Sequence, residues 1–343
     1  MQPSAPASQA RNLLRSLGGL LSNQALSLFV ILILMWLVLG VLSPFFFTTN
    51  NILNITLQAA VMALIAAGQT FVILSGGIDL SVGSIFACSA MVAGLVTRDL
   101  AAAGGALVGS GTGEVNPLLP IAAGLLTGAF LGLINGLGVA RLGLPAFIVT
   151  LGMMSAARGF ALLLNNGTPI FGLAPGFEQI GQGRIAEVIP VPTLIVIGVY
   201  ALCWFVLRYT PFGRFTYAVG SNSEAARLSG VRISRQLVGI YVLCGTFAAL
   251  AALVESSRLN SFQPASGQGY ELLAIGAVVI GGTSLFGGEG SILATLVGAL
   301  ILATIRNGLT ILGVSAFWQN VATGAIIVLA VYLDRLRRSR QSA

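Results

Sequence analysis

The chain has 343 residues, 56% of them hydrophobic and 8% charged, and its formal net charge of +7 rests entirely on arginine. That balance lies far outside soluble domains. Because lysine and histidine are both absent, a P-loop nucleotide site, Schiff-base chemistry, histidine general bases and histidine-ligated metals are excluded. The arginines flank apolar runs, so membrane topology accounts for the charge without nucleic acid. No cofactor and no metal is expected.

Residues 1–24 form a polar N-terminal tail containing Arg11 and Arg15. The apolar run Ala25–Leu42 is too long for a signal peptide and lacks a small-residue cleavage site, so it reads as a first span ending at Pro44. A second span, Ile52–Leu74, leads into SGGIDLSVGS (75–84), and a third apolar run continues to about Val96. Residues 97–117 form a Gly/Ser-rich loop with Asp99 and Glu114. Spans follow over Leu118–Ala140 and, after the turn at Arg141–Pro145, on to Leu164. The loop 165–190 carries Glu178, Arg184 and Glu187 and precedes a sixth span ending at Leu207.

A polar, arginine-bearing island, Arg208–Gln236, interrupts the apolar pattern. Ser221 and Glu224 have capping-box spacing, Ala225, Ala226 and Leu228 favour helix, and Gly230 stands where a C-terminal cap belongs. A short exposed helix of roughly two turns is predicted, placed to meet a soluble partner. Further spans are read at about Leu237–Val254, Leu272–Gly281, Ile292–Ile305 and Phe317–Leu333, followed by a basic tail, 334–343.

The result is an all-α polytopic membrane protein with about ten transmembrane helices, in a domain covering 25–333. The positive-inside bias places both termini and the 208–236 loop in the cytoplasm, leaving Arg98, Arg184, Arg258 and Arg306 outside. A faint repeat links Asn135-Gly-Leu and Leu142–Phe147 with Asn307-Gly-Leu and Leu312–Phe317. The two pairs of spans start from opposite sides, which predicts an inverted-repeat core.

Asp79 is the most informative polar residue. A carboxylate at bilayer centre costs about 2.5–3.5 kcal/mol, and the glycines beside it fit a broken helix or re-entrant turn. The competing reading is a cap on the third span at its edge. Arg158 pairs with a carboxylate, lines the path or snorkels to the outer surface. Gln69, Ser81, Gln319 and Asn320 are neutral hydrogen-bonding candidates for the path of an uncharged polyol. Trp318 reads as an interfacial anchor, Glu255 and Glu271 as solvated outer residues, and Cys88, Cys203 and Cys244 as buried packing. No catalytic residue stands out.

Four stretches carry a family resemblance: GQTFVILSGGIDLSVGS (68–84), NGLGVARLGLPAFIVTLGMM (135–154), TPFGRFTYAVGSNSEAARLSGV (210–231), and GAVVIGGTSLFGGEGS with NGLTILGVSAFWQ (276–319). Nearly everything after residue 45 resembles the permease subunits of bacterial ABC importers for ribose, xylose and related monosaccharides, including the autoinducer-2 branch. The resemblance implies an inner-membrane permease without catalytic activity. It also implies a second permease copy or paralogue, cytoplasmic ATPase subunits and a periplasmic sugar-binding protein. The coupling helix would map onto Gly220, Asn222, Glu224, Ala225, Ala226 and Gly230. Branched-chain amino-acid permeases are similar in plan but usually lack the aspartate matching Asp79, and the 97–117 loop here is longer than usual. The alternatives are an ion-coupled secondary transporter with Asp79 as its proton or sodium site, and an ABC permease for branched-chain amino acids. A membrane-embedded enzyme has no support, since paired intramembrane carboxylates are missing.

Overall fold

Small residues decide how closely the helices of this chain approach. The computed structural model describes residues 24–102 and 116–341. In chain order the elements are α1 (Gln24–Leu42), α2 (Thr49–Leu74), α3 (Val82–Ala102), α4 (Leu118–Ala140), α5 (Ala146–Leu163), β1 (Ile170–Phe171), α6 (Glu178–Gln182), β2 (Arg184–Ile185) and β3 (Ile189–Pro190). They continue with α7 (Val191–Tyr209), α8 (Pro211–Ser221), α9 (Ser223–Leu228), α10 (Ile233–Leu259), β4 (Ser261–Phe262), α11 (Tyr270–Ile280), α12 (Ile292–Ile311) and α13 (Ala316–Gln341). Among the described residues, seven helices are long and apolar enough to cross a membrane, namely α2, α3, α4, α5, α7, α10 and α12. Shorter apolar helices lie at Leu26–Leu42, Tyr270–Ile280 and Ala316–Leu329.

Helix α2 is the buried axis of the bundle, enclosed from Ala59 to its end at Leu74. Helix α10 packs beside it, buried almost continuously from Cys244 to Ser257. Helix α4 docks on α10 through Gly124, Gly128, Gly132 and Gly136, which share one helix face at every fourth position. A Cβ on Gly128 would stand 2.3 Å from the Gly245 carbonyl oxygen, and one on Gly132 2.3 Å from that of Tyr241. Gly124 meets Leu253 and Gly136 meets Val238, so the two helices run antiparallel in near-backbone contact. Lipid supplies no hydrophobic drive between apolar helices, and small residues compensate by bringing backbones together.

Three irregular connections matter for the site. Residues 75–81 lead from the end of α2 into α3, with Asp79 and Ser81 fully buried. Residues 260–269 interrupt α10 and α11, beginning at Asn260 with φ of 51°. Residues 281–291 join α11 to α12 and lie against both Leu74 and the last turn of α8, where a Cβ on Gly220 would stand 1.8 Å from the Leu74 carbonyl oxygen and 2.6 Å from the Gly288 nitrogen.

The loop predicted over 165–190 contains α6 and short strands. β1 pairs antiparallel with β4 (Ile170 opposite Phe262), and β2 pairs with β3. These two-residue strands are a minor departure from an all-helical chain. Arg98 and Asp99 sit on the last turns of α3, not in the loop expected at 97–117, and form an exposed ion pair there. That loop's Glu114, like the tail 1–23, lies outside the described residues.

Candidate functional site

The 75–81 connection is held by polar groups because its backbone leaves helical pairing inside the bundle, where unpaired N–H and C=O groups are costly. The Gln69 side chain on α2 satisfies the Asp79 backbone, its amide nitrogen 3.3 Å from the carbonyl and its oxygen 3.2 Å from the N–H. Asp79 Oδ1 accepts from the Ser81 N–H at 2.8 Å and from the Ser81 hydroxyl at 2.6 Å, closing a turn that starts α3. Asn135 on α4 donates to the Ser81 hydroxyl oxygen at 2.8 Å. Gln69, Asp79 and Ser81 are thus brought together, and Asp79 both interrupts the chain and prepares the next helix.

Asp79 Oδ2, Asn135 Oδ1 and the Tyr241 hydroxyl are buried and lack hydrogen-bond partners among the described residues. In the sequence Asn135 stands in the repeat and in the second motif without marking a site. Tyr241 had no local signal at all, being one aromatic in an apolar helix.

Arg158 on α5 joins a different pair of elements. Its Nη1 donates to the carbonyls of Pro264 and Ser266, each at 2.8 Å, and its Nη2 to that of Gly83 at 3.2 Å. The guanidinium therefore ties the 260–269 break to the first turn of α3, where Gly83 and Gly267 are in backbone contact. It also borders an open cleft of about 450 Å³ with Ser84, Ser155, Gln268 and Glu271. Neither snorkelling nor an ion pair describes it; the planar fork serves as a brace. Charge-assisted hydrogen bonds contribute about 1.5–3 kcal/mol each, and a lysine cannot span the same carbonyls. Arg158→Lys is expected to lower stability by about 2 kcal/mol, seen as an earlier thermal transition in detergent; an unchanged transition would mean that the brace carries no load.

Helices α8 and α9 form the polar island. Thr210 caps α8 by accepting from the Gly213 N–H at 3.3 Å. Gln236 at the start of α10 donates to the Phe212 carbonyl and the Thr216 hydroxyl, both at 2.8 Å, and the Tyr217 hydroxyl donates to the Gly290 carbonyl at 3.0 Å. The N-cap of α9 is Asn222, whose Oδ1 accepts from the Ala225 N–H at 2.9 Å. Ser221, expected as the cap, instead ends α8, and Gly220 is likewise an α8 packing residue. The helix therefore starts one residue later, because an extended Asn222 (φ −159°) separates two helices where sequence spacing implied one.

Gly230 has φ of 85°. With Val231 N–H bonded to Ala226 carbonyl and Gly230 N–H to Arg227 carbonyl, both at 3.0 Å, it completes a Schellman cap. Glu224, Ala225 and Leu228 are exposed, whereas Ala226 is buried against the body. Arg227 pairs with Glu224, a contact that holds the Glu224 carboxyl below its ordinary range. Its small contribution to α9 is thus present at neutral pH and lost as pH falls through that lowered value.

The remaining candidates separate. Gln319 borders a cavity of about 250 Å³ lined also by Glu255, Arg258 and Arg306, while Asn320 is exposed on α13. Glu255, expected to be solvated, is only 6% exposed and accepts from the Tyr270 hydroxyl at 2.9 and 3.2 Å. Tyr270 from the start of α11 and side chains of α2 and α12 enclose it, which no linear pattern foretells. Trp318 is 67% exposed, as an anchor would be. All three cysteines are free and buried.

Residues 51–331 match the family model described as branched-chain amino acid transport system / permease component. The chain is 46% identical over 315 residues to the ribose import permease protein RbsC of Bacillus subtilis (strain 168), covering 91% of this chain and 93% of that protein. It is 43% identical to RbsC of Escherichia coli (strain K12), covering 91% and 94%. It is 39% identical to the D-allose transport system permease protein AlsC of Escherichia coli (strain K12), covering 90% of each. No solved structure matches.

Proposed function

The chain belongs to the branched-chain amino acid transport system / permease component family and is the permease subunit of an ABC importer for ribose-like sugars; we propose that a separate ATPase drives it by force delivered at α9. The observation that carries this is the construction of α9: six residues capped at both ends, exposed on one side and seated directly after an α8 wedged against the end of α2. A helix so firmly ended yet so little buried has its free face available to a soluble subunit. Gly220, Ser221 and Asn222 form the joint, Glu224 and Ala225 the contact face, and Ala226 and Gly230 the fastening to the body.

Nucleotide-driven closure of the ATPase pair moves α9 and α8 together, and the backbone contacts at Gly220 pass that movement to α2 and to the 281–291 connection. The two breaks, braced to one another by Arg158, then change tilt around the sugar path. Gln69, Asp79 and Ser81 shape the first break, and neutral side chains such as Gln319 offer weak contacts. A periplasmic binding protein delivers the sugar and supplies the selectivity.

Packing relationships support an inverted repeat of α2–α5 and α10–α13. Helix α10 packs on α4 as α12 packs on α2, and α3 meets α5 as α11 meets α13. Gly143 and Gly313, at matching places in the two turns, both have positive φ (68° and 74°), and Asn135 and Asn307 are both buried amides donating at 2.8 Å to residues near helix starts. In this reading the three shorter apolar helices cross with the seven long ones, making about ten spans. On this reading α8, α9 and both termini face the cytoplasm, 25–333 is the permease domain and 334–343 its tail, and a second permease copy or paralogue completes the pore.

Glu224→Arg or Ala225→Trp is expected to cut ATP-driven D-ribose uptake at least 50-fold while leaving membrane abundance and the permease's thermal transition unchanged. Uptake at the wild-type rate in either variant would remove α9 from the coupling scheme.

A further inference from the structure

We propose that the cavity among α2, α10, α11, α12 and α13 is a holding site for one monosaccharide, separate from the helix breaks; this rests on the sugar-import reading above. The cavity measures about 250 Å³, below the roughly 300–1,000 Å³ of drug-sized sites and on the scale of a single sugar ring. Gln58 on its wall stands about 24 Å along α2 from Leu74, at 1.5 Å per residue, so it opens near the end of the bundle remote from α9.

Its polar wall is built from groups that fall short of one another. Glu255 accepts one proton, shared between its two oxygens, from Tyr270, so most of its acceptor capacity is unused. Arg258 and Arg306 act on it electrostatically. Yet the ion pairs among the described residues are those of Arg98 with Asp99 and Arg227 with Glu224, so neither arginine closes on Glu255. Arg258 Nε is buried without a partner. Gln319 spends its amide nitrogen on Thr310 and Val314, leaving its oxygen free on the same wall. Met62, Leu273 and Leu302 form the apolar side.

The chemistry of the missing occupant follows from this set. An anion would suit the guanidiniums but confront Glu255, and a cation would meet the reverse conflict. A hydroxyl both donates and accepts, so a neutral polyol satisfies the carboxylate and the arginines together, while the apolar side covers the C–H face of its ring.

The test is tritiated D-ribose binding to the full-length permease in lipid nanodiscs. Saturable binding is expected for the wild type, with at least tenfold weakening in Glu255→Gln and Arg306→Gln and loss in Ala303→Phe, which fills the cavity from another face. Excess inorganic phosphate is expected to leave binding unchanged. Absence of saturable binding in the wild type, wild-type binding in Ala303→Phe, or displacement of ribose by phosphate would each overturn the proposal. Should Glu255→Gln fail to fold, the two α12 variants decide. ATP-driven uptake by the reconstituted importer separates the two readings: intact ribose uptake without cavity binding removes the holding site alone, whereas no uptake of any monosaccharide removes the import reading as well.

Discussion

Asp79→Ala is expected to abolish sugar uptake and lower the stability of the permease by about 3 kcal/mol, whereas Asp79→Asn is expected to preserve both. The alanine variant leaves the Ser81 N–H, buried at the start of α3, without its acceptor and releases the Ser81 hydroxyl as well. An orphaned buried donor costs about 1–3 kcal/mol beyond the hydrogen bond itself. Asparagine keeps the Oδ1 acceptor. It also puts an N–H₂ group in place of Asp79 Oδ2, which has no hydrogen-bond partner now. Uptake by the two variants, together with thermal unfolding in detergent, checks the pair. The same comparison decides between the two transport classes. An ion-coupled carrier with Asp79 as its proton or sodium site would be silenced by asparagine as surely as by alanine, and its uptake would collapse with an uncoupler and persist without any ATPase.

Gly220→Val is expected to reduce uptake at least 100-fold with α9 itself unaltered. The added side chain would begin 1.8 Å from the Leu74 carbonyl oxygen and 2.6 Å from the Gly288 nitrogen, both backbone atoms that cannot rotate away. Overpacking of this kind costs about 1–3 kcal/mol, which the bundle can absorb only by parting α8 from α2. The ATPase would still dock on α9 and hydrolyse ATP, but its stroke would no longer reach the breaks. Measuring hydrolysis and uptake in the same proteoliposomes tests this: hydrolysis retained with transport lost is the expected signature. If uptake survives with the valine in place, force takes another route. Gly288 (φ 76°) and Gly287 (φ 85°) face the same contact from the other side, so side chains there should uncouple in the same way.

Much of this molecule was legible along the chain because a bilayer imposes its requirements locally. Each span must be apolar over its own length and satisfy its own backbone, so α2, α4, α5, α7 and α10 announce themselves in composition, and the arginine-bearing island between α7 and α10 stands out by contrast. The glycines at 76, 230, 287, 288 and 290 mark places where the backbone turns in ways other residues resist. The four motifs carried the family membership, which the relatives sharing 39–46% identity establish.

What the chain order could not supply was proximity. Asn135 and Ser81 are 54 positions apart, Arg158 reaches carbonyls more than 100 positions away, and Glu255 becomes buried only when Tyr270 and residues of α2 and α12 gather around it. The division of the island into α8 and α9 depended likewise on the seat that Leu74 and Gly288 make for Gly220. Hydropathy and turn chemistry are properties of neighbours in sequence, and they determined that this protein crosses a membrane, where it breaks and where it is polar. Which breaks meet, which polar groups are left unpaired and which helix leans on which are set by packing between distant segments, and only the tertiary structure decided those.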